Sequence, residues 1–379
     1  MKKLIDFIKE ARSNGFTTVR EIPYHFPEGY QDLKAIFYSA GARNEVFAFI
    51  GVPQTAAPAG GFPSVVLIHG GDGCAYYEWV REWTNRGYLA IAPDFSAQYA
   101  DGADRHAFNP NGGPRGYGSI DDFDSACPWL YFSVLSAMCA ADVLYAHPQA
   151  DRNAIFAQGI SWGGFISLAF AAFEKRIKAL SVIYSSAFIS DSLWGRKRGL
   201  GALSAGALAA YNRTIDPQTY LKDIAVPVLF SAGTDDGAFT VNNRRRTAAK
   251  IPGRKAFSYR LNFQHGHAAG WSQPESAAFF RSVQTGQRMP SIAAVQRGAY
   301  AFAEADPAFA ALSFVFTRED IRKKDICMWE ERSAAAGKSV SLNGISAYFF
   351  TGKTSEGLVF STDVFCTETA SDGENGNGG

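Results

Sequence analysis

One serine in this chain stands in a setting built for nucleophilic attack. It is Ser161, in the run Gly159-Ile160-Ser161-Trp162-Gly163-Gly164. A serine hydroxyl attacks a carbonyl only when a base removes its proton, so it needs exposure and a partner. A tight strand-to-helix turn gives the exposure, and small flanking residues let the backbone make that turn. Gly159 and Gly163 flank the serine, and Gly164 lets the following helix pack closely. The preceding run Ala154-Ile155-Phe156-Ala157 reads as a strand and Phe165 to Phe173 as a helix. The competing account is a chance match in a chain with 37 glycines. The strand before, the helix after and the partners downstream argue against it.

The partners required are a carboxylate and then a histidine. After the apolar run Val226 to Ser231 come Ala232-Gly233-Thr234-Asp235-Asp236-Gly237, with two adjacent acids on the loop leaving a strand. Either Asp235 or Asp236 could orient an imidazole there. Farther on, Asn262-Phe263-Gln264-His265-Gly266-His267 offers two histidines of the chain's six. His25, His106 and His147 precede or flank the wrong elements, and His69 belongs to a glycine-rich loop. The strand before the pair should end near Leu261, which favours His265 and leaves His267 as the alternate. Charge that develops on a carbonyl oxygen needs preorganised N–H donors. The N–H of Trp162 is one candidate, and the N–H of Gly71 in His69-Gly70-Gly71-Asp72-Gly73 is the other.

These residues, with Glu78-Trp79-Val80, Arg86-Gly87-Tyr88 and Gly270-Trp271, resemble the acetylxylan-esterase-like α/β-hydrolases. That group is related to prolyl-oligopeptidase-type enzymes and to the PhoPQ-activated pathogenicity-related proteins. The resemblance covers about residues 60–285. It implies a carboxylic-ester hydrolase, often acting on acylated carbohydrate, with no cofactor and no metal. It carries the nucleophile onto Ser161, the acid onto Asp236, three positions after Gly233, and the base onto His265, with Asn262 setting the register. Asp72 departs from the pattern, since glycine is more usual there.

The elements that must position these groups follow a rhythm. Ser64 to Ile68, Leu89 to Ala92, Ala154 to Ala157, Ala179 to Tyr184, Pro227 to Ala232 and Phe257 to Leu261 read as strands. Ala75 to Asn85, Trp129 to Ala146, Trp162 to Phe173, Val241 to Lys250 and Glu275 to Val283 read as the helices between them. Alternation of this kind predicts an α/β-hydrolase fold, a mostly parallel central sheet with helices on both faces. We expect a catalytic domain over 1–290 with a lid-like insertion at 185–224. After Pro290 the pattern turns to alternating apolar segments, which predicts a small β-rich domain over 305–370. The acidic, Gly-rich residues 371–379 read as a disordered tail. The insertion at 96–127 and the excursion at 185–224 should frame the mouth, with Trp129, Trp162, Phe188 and Trp194 as candidate walls.

Composition narrows the classes. A formal net charge of +1 argues against a nucleic-acid partner. The basic cluster Arg244 to Arg246 reads as a solvated helix face. No apolar stretch is long enough to span a membrane. Asp6, Lys9 and Glu10 interrupt any export signal after Met-Lys-Lys, so a cytoplasmic setting is expected. The five cysteines, Cys74, Cys127, Cys139, Cys327 and Cys366, fit neither a disulfide framework nor a zinc site. The partner expected is a small-molecule or carbohydrate ester. Two alternatives stay open: a serine peptidase of the oligopeptidase type, and a catalytically inactive hydrolase-fold binding protein. The first 60 residues are too few for the gating propeller such peptidases carry.

Overall fold

Short β-branched runs that bury both faces are stable only inside a sheet covered by helices. The computed structural model of the chain has that arrangement. It describes residues 3–13, 17–41, 45–71, 73–95 and 129–367. Asp72, the insertion at 96–127 with His106 and Cys127, the tail and the side chain of Trp129 lie outside the described residues.

Helix α1 (Leu4–Ser13) leads into strands β1 (Val19–Ile22), β2 (Lys34–Ser39) and β3 (Glu45–Gly51), paired antiparallel in that order. Next come β4 (Phe62–Ile68), α2 (Tyr77–Asn85), β5 (Leu89–Pro93), α3 (Trp129–Ala146), β6 (Ala150–Ile160), α4 (Trp162–Phe173) and β7 (Ile177–Ile183). Two short helices, α5 (Leu193–Lys197) and α6 (Ala205–Thr214), occupy the excursion. Then follow β8 (Val228–Gly233), α7 (Val241–Lys250), β9 (Lys255–Arg260), α8 (His267–Trp271) and α9 (Pro274–Thr285).

Strands β5, β4, β6, β7, β8 and β9 lie side by side in that order and run parallel. β3 joins β5 antiparallel. This is an α/β-hydrolase-like fold with a mixed central sheet flanked by helices. The chain leaves β4 toward β5 on one side and leaves β6 toward β7 on the other. Between the carboxyl ends of β4 and β6 the connections therefore diverge, and such a switch point opens a crevice for ligand.

One polar side chain inside the sheet is matched on both its oxygen and its nitrogen. Gln158 of β6, fully buried, accepts from the indole N–H of Trp79 at 3.1 Å and of Trp83 at 2.9 Å. Its amide donates to Ser276 at 2.9 Å. One side chain thus ties α2 and α9 to the strand that carries the serine. α3 and α4 are apolar on nearly every face, and a helix of that kind must be buried. Among the described residues no helix is long and apolar enough to cross a membrane.

The rest of the chain is β10 (Ile292–Arg297), β11 (Tyr300–Ala305), β12 (Phe309–Thr317), β13 (Glu330–Ala334), β14 (Val340–Ser341), β15 (Ala347–Thr354), β16 (Val359–Ser361) and β17 (Phe365–Cys366). β10, β11 and β14 make a small separate sheet. β16, β15, β12 and β13 instead continue the central sheet antiparallel beyond β9, with β17 also on β15, giving 14 strands among the described residues. Period-two alternation decides which core each side chain joins. Val315 and Phe349 face the main core. Phe314, Phe316, Tyr348 and Phe350 face the small sheet and close a second core with Ala301, Ala303 and Leu342.

Candidate active site

Ser161 sits between β6 and α4 with φ 55° and ψ −119°. A non-glycine residue held in such a sparsely populated region costs roughly 1–3 kcal/mol, and the surrounding packing must enforce it. The glycines show how it does so. A Cβ on Gly163 would lie 1.9 Å from the Ile68 carbonyl oxygen, and one on Gly159 would lie 2.4 Å from the Gly163 carbonyl oxygen. A Cβ on Gly164 would meet that of Ser185 at 2.4 Å. The turn is therefore pressed against β4 and β7, and the serine Oγ is left partly exposed at the switch point.

His265 Nε2 is 2.8 Å from Ser161 Oγ, and its Nδ1 is 3.0 Å from Asp236 Oδ2. An ionised carboxylate only accepts, so Nδ1–H donates to Asp236 and Nε2 is left to accept from the serine hydroxyl. An imidazole in that tautomer can take a proton from Oγ and later return it to a leaving group. Asp236 is buried. Its Oδ1 accepts from the backbone N–H of Ala238 and of Phe239, both at 3.0 Å. The two alternates lie elsewhere. Asp235 is exposed, and His267 opens α8 with its Nε2 beside the glycine-rich loop, about where Cβ atoms on Gly70 and Gly73 would meet it at 3.1 and 2.9 Å.

That loop is clamped by His69. Its Nε2 accepts from the backbone N–H of Phe95 at 2.9 Å, so Nδ1–H donates to the Gly70 carbonyl at 2.8 Å. Gly71 lies against the indole of Trp162, where a Cβ would come within 2.6 Å of a ring carbon. Trp162 is the first residue of α4, so its N–H lies at the helix's electropositive end. Of the candidate wall residues, Trp162 and Trp194 have ring centroids 5.6 Å apart. Phe239, which sequence reasoning did not single out, bridges them to the imidazole: it is 6.1 Å from Trp162 and stacked 6.1 Å from His265. Phe188 is buried in a left-handed conformation (φ 63°) and its N–H donates to the buried Asp216, so it anchors the excursion.

Two further residues were missed. Tyr184 follows β7, and its hydroxyl donates to the Gly266 carbonyl at 2.6 Å while its ring lies 4.4 Å from that of His265. Burial, and then the charge of Asp236, pushes its hydroxyl well above the usual phenol range, so it stays a donor. The second is Arg244, and here the expectation of a solvated helix face for Arg244 to Arg246 is overturned. Arg246 is part-exposed and pairs with Asp191. Arg244 is buried and lies 3.5 Å from Asp236 Oδ2. Thr240 caps α7 by accepting from the Asn243 N–H, which sets the first turn of that helix against the loop of Asp236. Among the described residues no group of three His, Cys, Asp or Glu side chains could hold a metal ion. Cys74, Cys139, Cys327 and Cys366 are thiols outside any disulfide.

A serine on the strand-to-helix turn of this sheet defines a serine hydrolase of the α/β-hydrolase type. The chain belongs to the acetyl xylan esterase (AXE1) family, whose model matches residues 22–226, 205 of the chain's 379 residues. It is a serine carboxylic-ester hydrolase. The model for PhoPQ-activated pathogenicity-related protein matches residues 200–311, the stretch that holds Asp236 and His265. No curated protein sequence matches the chain. Among solved structures, an acetyl xylan esterase from Paenibacillus sp. R4 aligns at 17% identity over 74% of this chain and 92% of its own, with a TM-score of 0.59. Acetyl xylan esterase 1 from Thermoanaerobacterium sp. JW/SL YS485 aligns at 18% over the same shares, with a TM-score of 0.57. A puromycin-hydrolyzing peptidase from Mycobacterium tuberculosis aligns at 22% over 69% of this chain and 41% of its own, with a TM-score of 0.52. These three likenesses are likenesses of fold.

Proposed function

We propose that the chain removes a small acyl group, acetyl foremost, from a carbohydrate or similar small alcohol by a Ser161–His265–Asp236 triad. The observation that carries this reading is the pair of contacts on one imidazole, 2.8 Å to Ser161 Oγ and 3.0 Å to Asp236. In the first step Oγ bonds to the acyl carbon as Nε2 takes the hydroxyl proton. The resulting oxyanion is met by the N–H groups of Trp162 and Gly71. Collapse breaks the bond to the alcohol oxygen, which leaves with the proton from the imidazolium. Water, deprotonated by the same Nε2, then attacks the acyl-enzyme and releases the acid and Ser161. Trp194, half-buried and packed on the buried Trp162 and Phe239, supports a ring-shaped alcohol, because an apolar wall with few convergent polar groups suits such a ligand. No cofactor or metal enters these steps. The thiols suit a reducing, cytoplasmic setting.

The test is Ser161→Ala with a panel of acetylated sugars, nitrophenyl esters and aminoacyl amides, beside labelling by a fluorophosphonate. We expect a folded variant that neither labels nor turns over ester, with a loss of several orders of magnitude in kcat. Retained turnover would sink the mechanism. Preference for the amides would move the reading to a peptidase, and a parent chain inert to both label and panel would make it a binding scaffold.

A further inference from the structure

We propose that Arg244 is a positioning residue for the reaction: a buried cation behind the acid that fixes the carboxylate and offsets part of its charge, so that the base stays neutral to lower pH. The proposal rests on the triad reading given above.

The geometry is specific. One guanidinium grips the acid's loop at three points. Nη2 donates to the carbonyl of Gly233 at the loop's start, and Nη1 donates to the carbonyl of Phe239 at its end, the latter at 2.6 Å. Between them Nη1 reaches Asp236 Oδ2 at 3.5 Å, the same oxygen that receives His265 Nδ1–H. Val241, Tyr259, Phe349 and Val364 close around the guanidinium, with the Tyr259 ring 5.8 Å away. Phe349 lies on β15 and Val364 between β16 and β17, so the C-terminal strands help to keep water from this cation.

A guanidinium sealed in this way is costly to desolvate, and an apolar side chain of similar volume would fill the space at less cost. What the apolar side chain could not do is hold a charge beside the acid. The groups facing the pair are Asp235 and Asp236 on the acid's loop, His265 opposite, Tyr184 just after β7, Tyr259 from β9 and Asp363 beside Tyr259. Arg244 is the one permanent cation among them. Taking a positive charge away from a coupled carboxylate–imidazole pair favours the protonated form of the pair, whichever member holds the proton. Less of the enzyme then has the neutral imidazole that the reaction needs, and the loss is largest at acidic pH.

The experiment measures kcat and KM for a nitrophenyl ester across pH for the parent, Arg244→Met and Arg244→Lys. Thermal midpoints and fluorophosphonate labelling are recorded for each. For Arg244→Met we expect the acid limb of kcat/KM to move up by about one pH unit, a roughly tenfold loss at fixed acidic pH, with KM changed less than about twofold. Arg244→Lys keeps the charge but cannot span both carbonyls, so its limb should stay at the parent's position while kcat falls several-fold. A limb that stays in place in Arg244→Met, whatever its melting point, overturns the proposal. If that variant does not fold, Arg244→Lys decides, and parent-like kcat with only a lowered melting point makes the arginine structural alone. A parent chain that does not label fails the triad reading instead, which is distinct from a labelled parent with an unmoved limb.

Discussion

At the scale of single residues, the two histidines separate two kinds of work that a short stretch of sequence runs together. His265 bridges Ser161 and Asp236, whereas His267 packs on the glycine-rich loop with its ring 5.1 Å from that of Tyr76. His265→Ala should therefore lower kcat at least about a thousandfold, in the range for loss of a triad member. His267→Ala removes a ring that packs beside the glycine-rich loop, and a loss of about tenfold is expected. Steady-state kinetics on both variants checks this. Equal losses would mean that the loop, rather than the proton transfer, limits turnover. The strand before the two histidines was legible: it ends at Arg260, beside the expected Leu261, and the next residues must turn over the sheet. Asn262 makes that turn in a left-handed conformation (φ 55°). Arg244 was not legible as the acid's partner. Three consecutive arginines on a polar helix give no local sign of which one points inward.

The elements that carry these residues were read well wherever one local pattern sufficed. Helices α3, α4 and α7 run over the expected residues because their apolar runs or caps define both ends. Strands were read short. β6 extends back to Ala150 through Asp151 and Arg152, polar residues tolerated at its solvent end. α8 was missed, since five residues with a glycine among them show no helical period. β10 and β11 were also missed, because their alternation is written in alanines and half-buried side chains. No local pattern could announce the buried cross-link at Gln158, since its partners lie more than 70 residues away on either side. Gln158→Ala leaves two indole N–H groups and a serine without that partner inside the core. At about 1–3 kcal/mol for each buried unsatisfied group, the variant should lose about 3 kcal/mol or more of stability. Denaturant unfolding followed by tryptophan fluorescence would measure it, and a loss under about 1 kcal/mol would show that the site relaxes or admits water.

For the whole molecule, the telling fact is that the C-terminal strands continue the sheet whose strand β6 leads into Ser161. β16 meets β9 at Ser361 and Phe257, and Ser361 Oγ accepts from the Tyr259 N–H at 2.9 Å. The Val359 N–H donates to the buried Glu275 at 2.8 Å. A chain ending at Pro290 would present β9 as an open edge and uncover the packing around Arg244. Exposed edges of this kind pair with other chains. The shortened chain should elute as large aggregates on size exclusion while the full chain does not; a well-behaved short chain with the parent's pH profile would show that the extension is dispensable. The same join sets a timetable for synthesis. β9 leaves the ribosome about 100 residues before β16, which at roughly 5–20 residues per second is a gap of about 5–20 s. Through that interval the nascent chain comes to hold Ser161, Asp236 and His265 but carries a sheet with one raw side, and whatever shields nascent chains must cover it until residue 361 arrives.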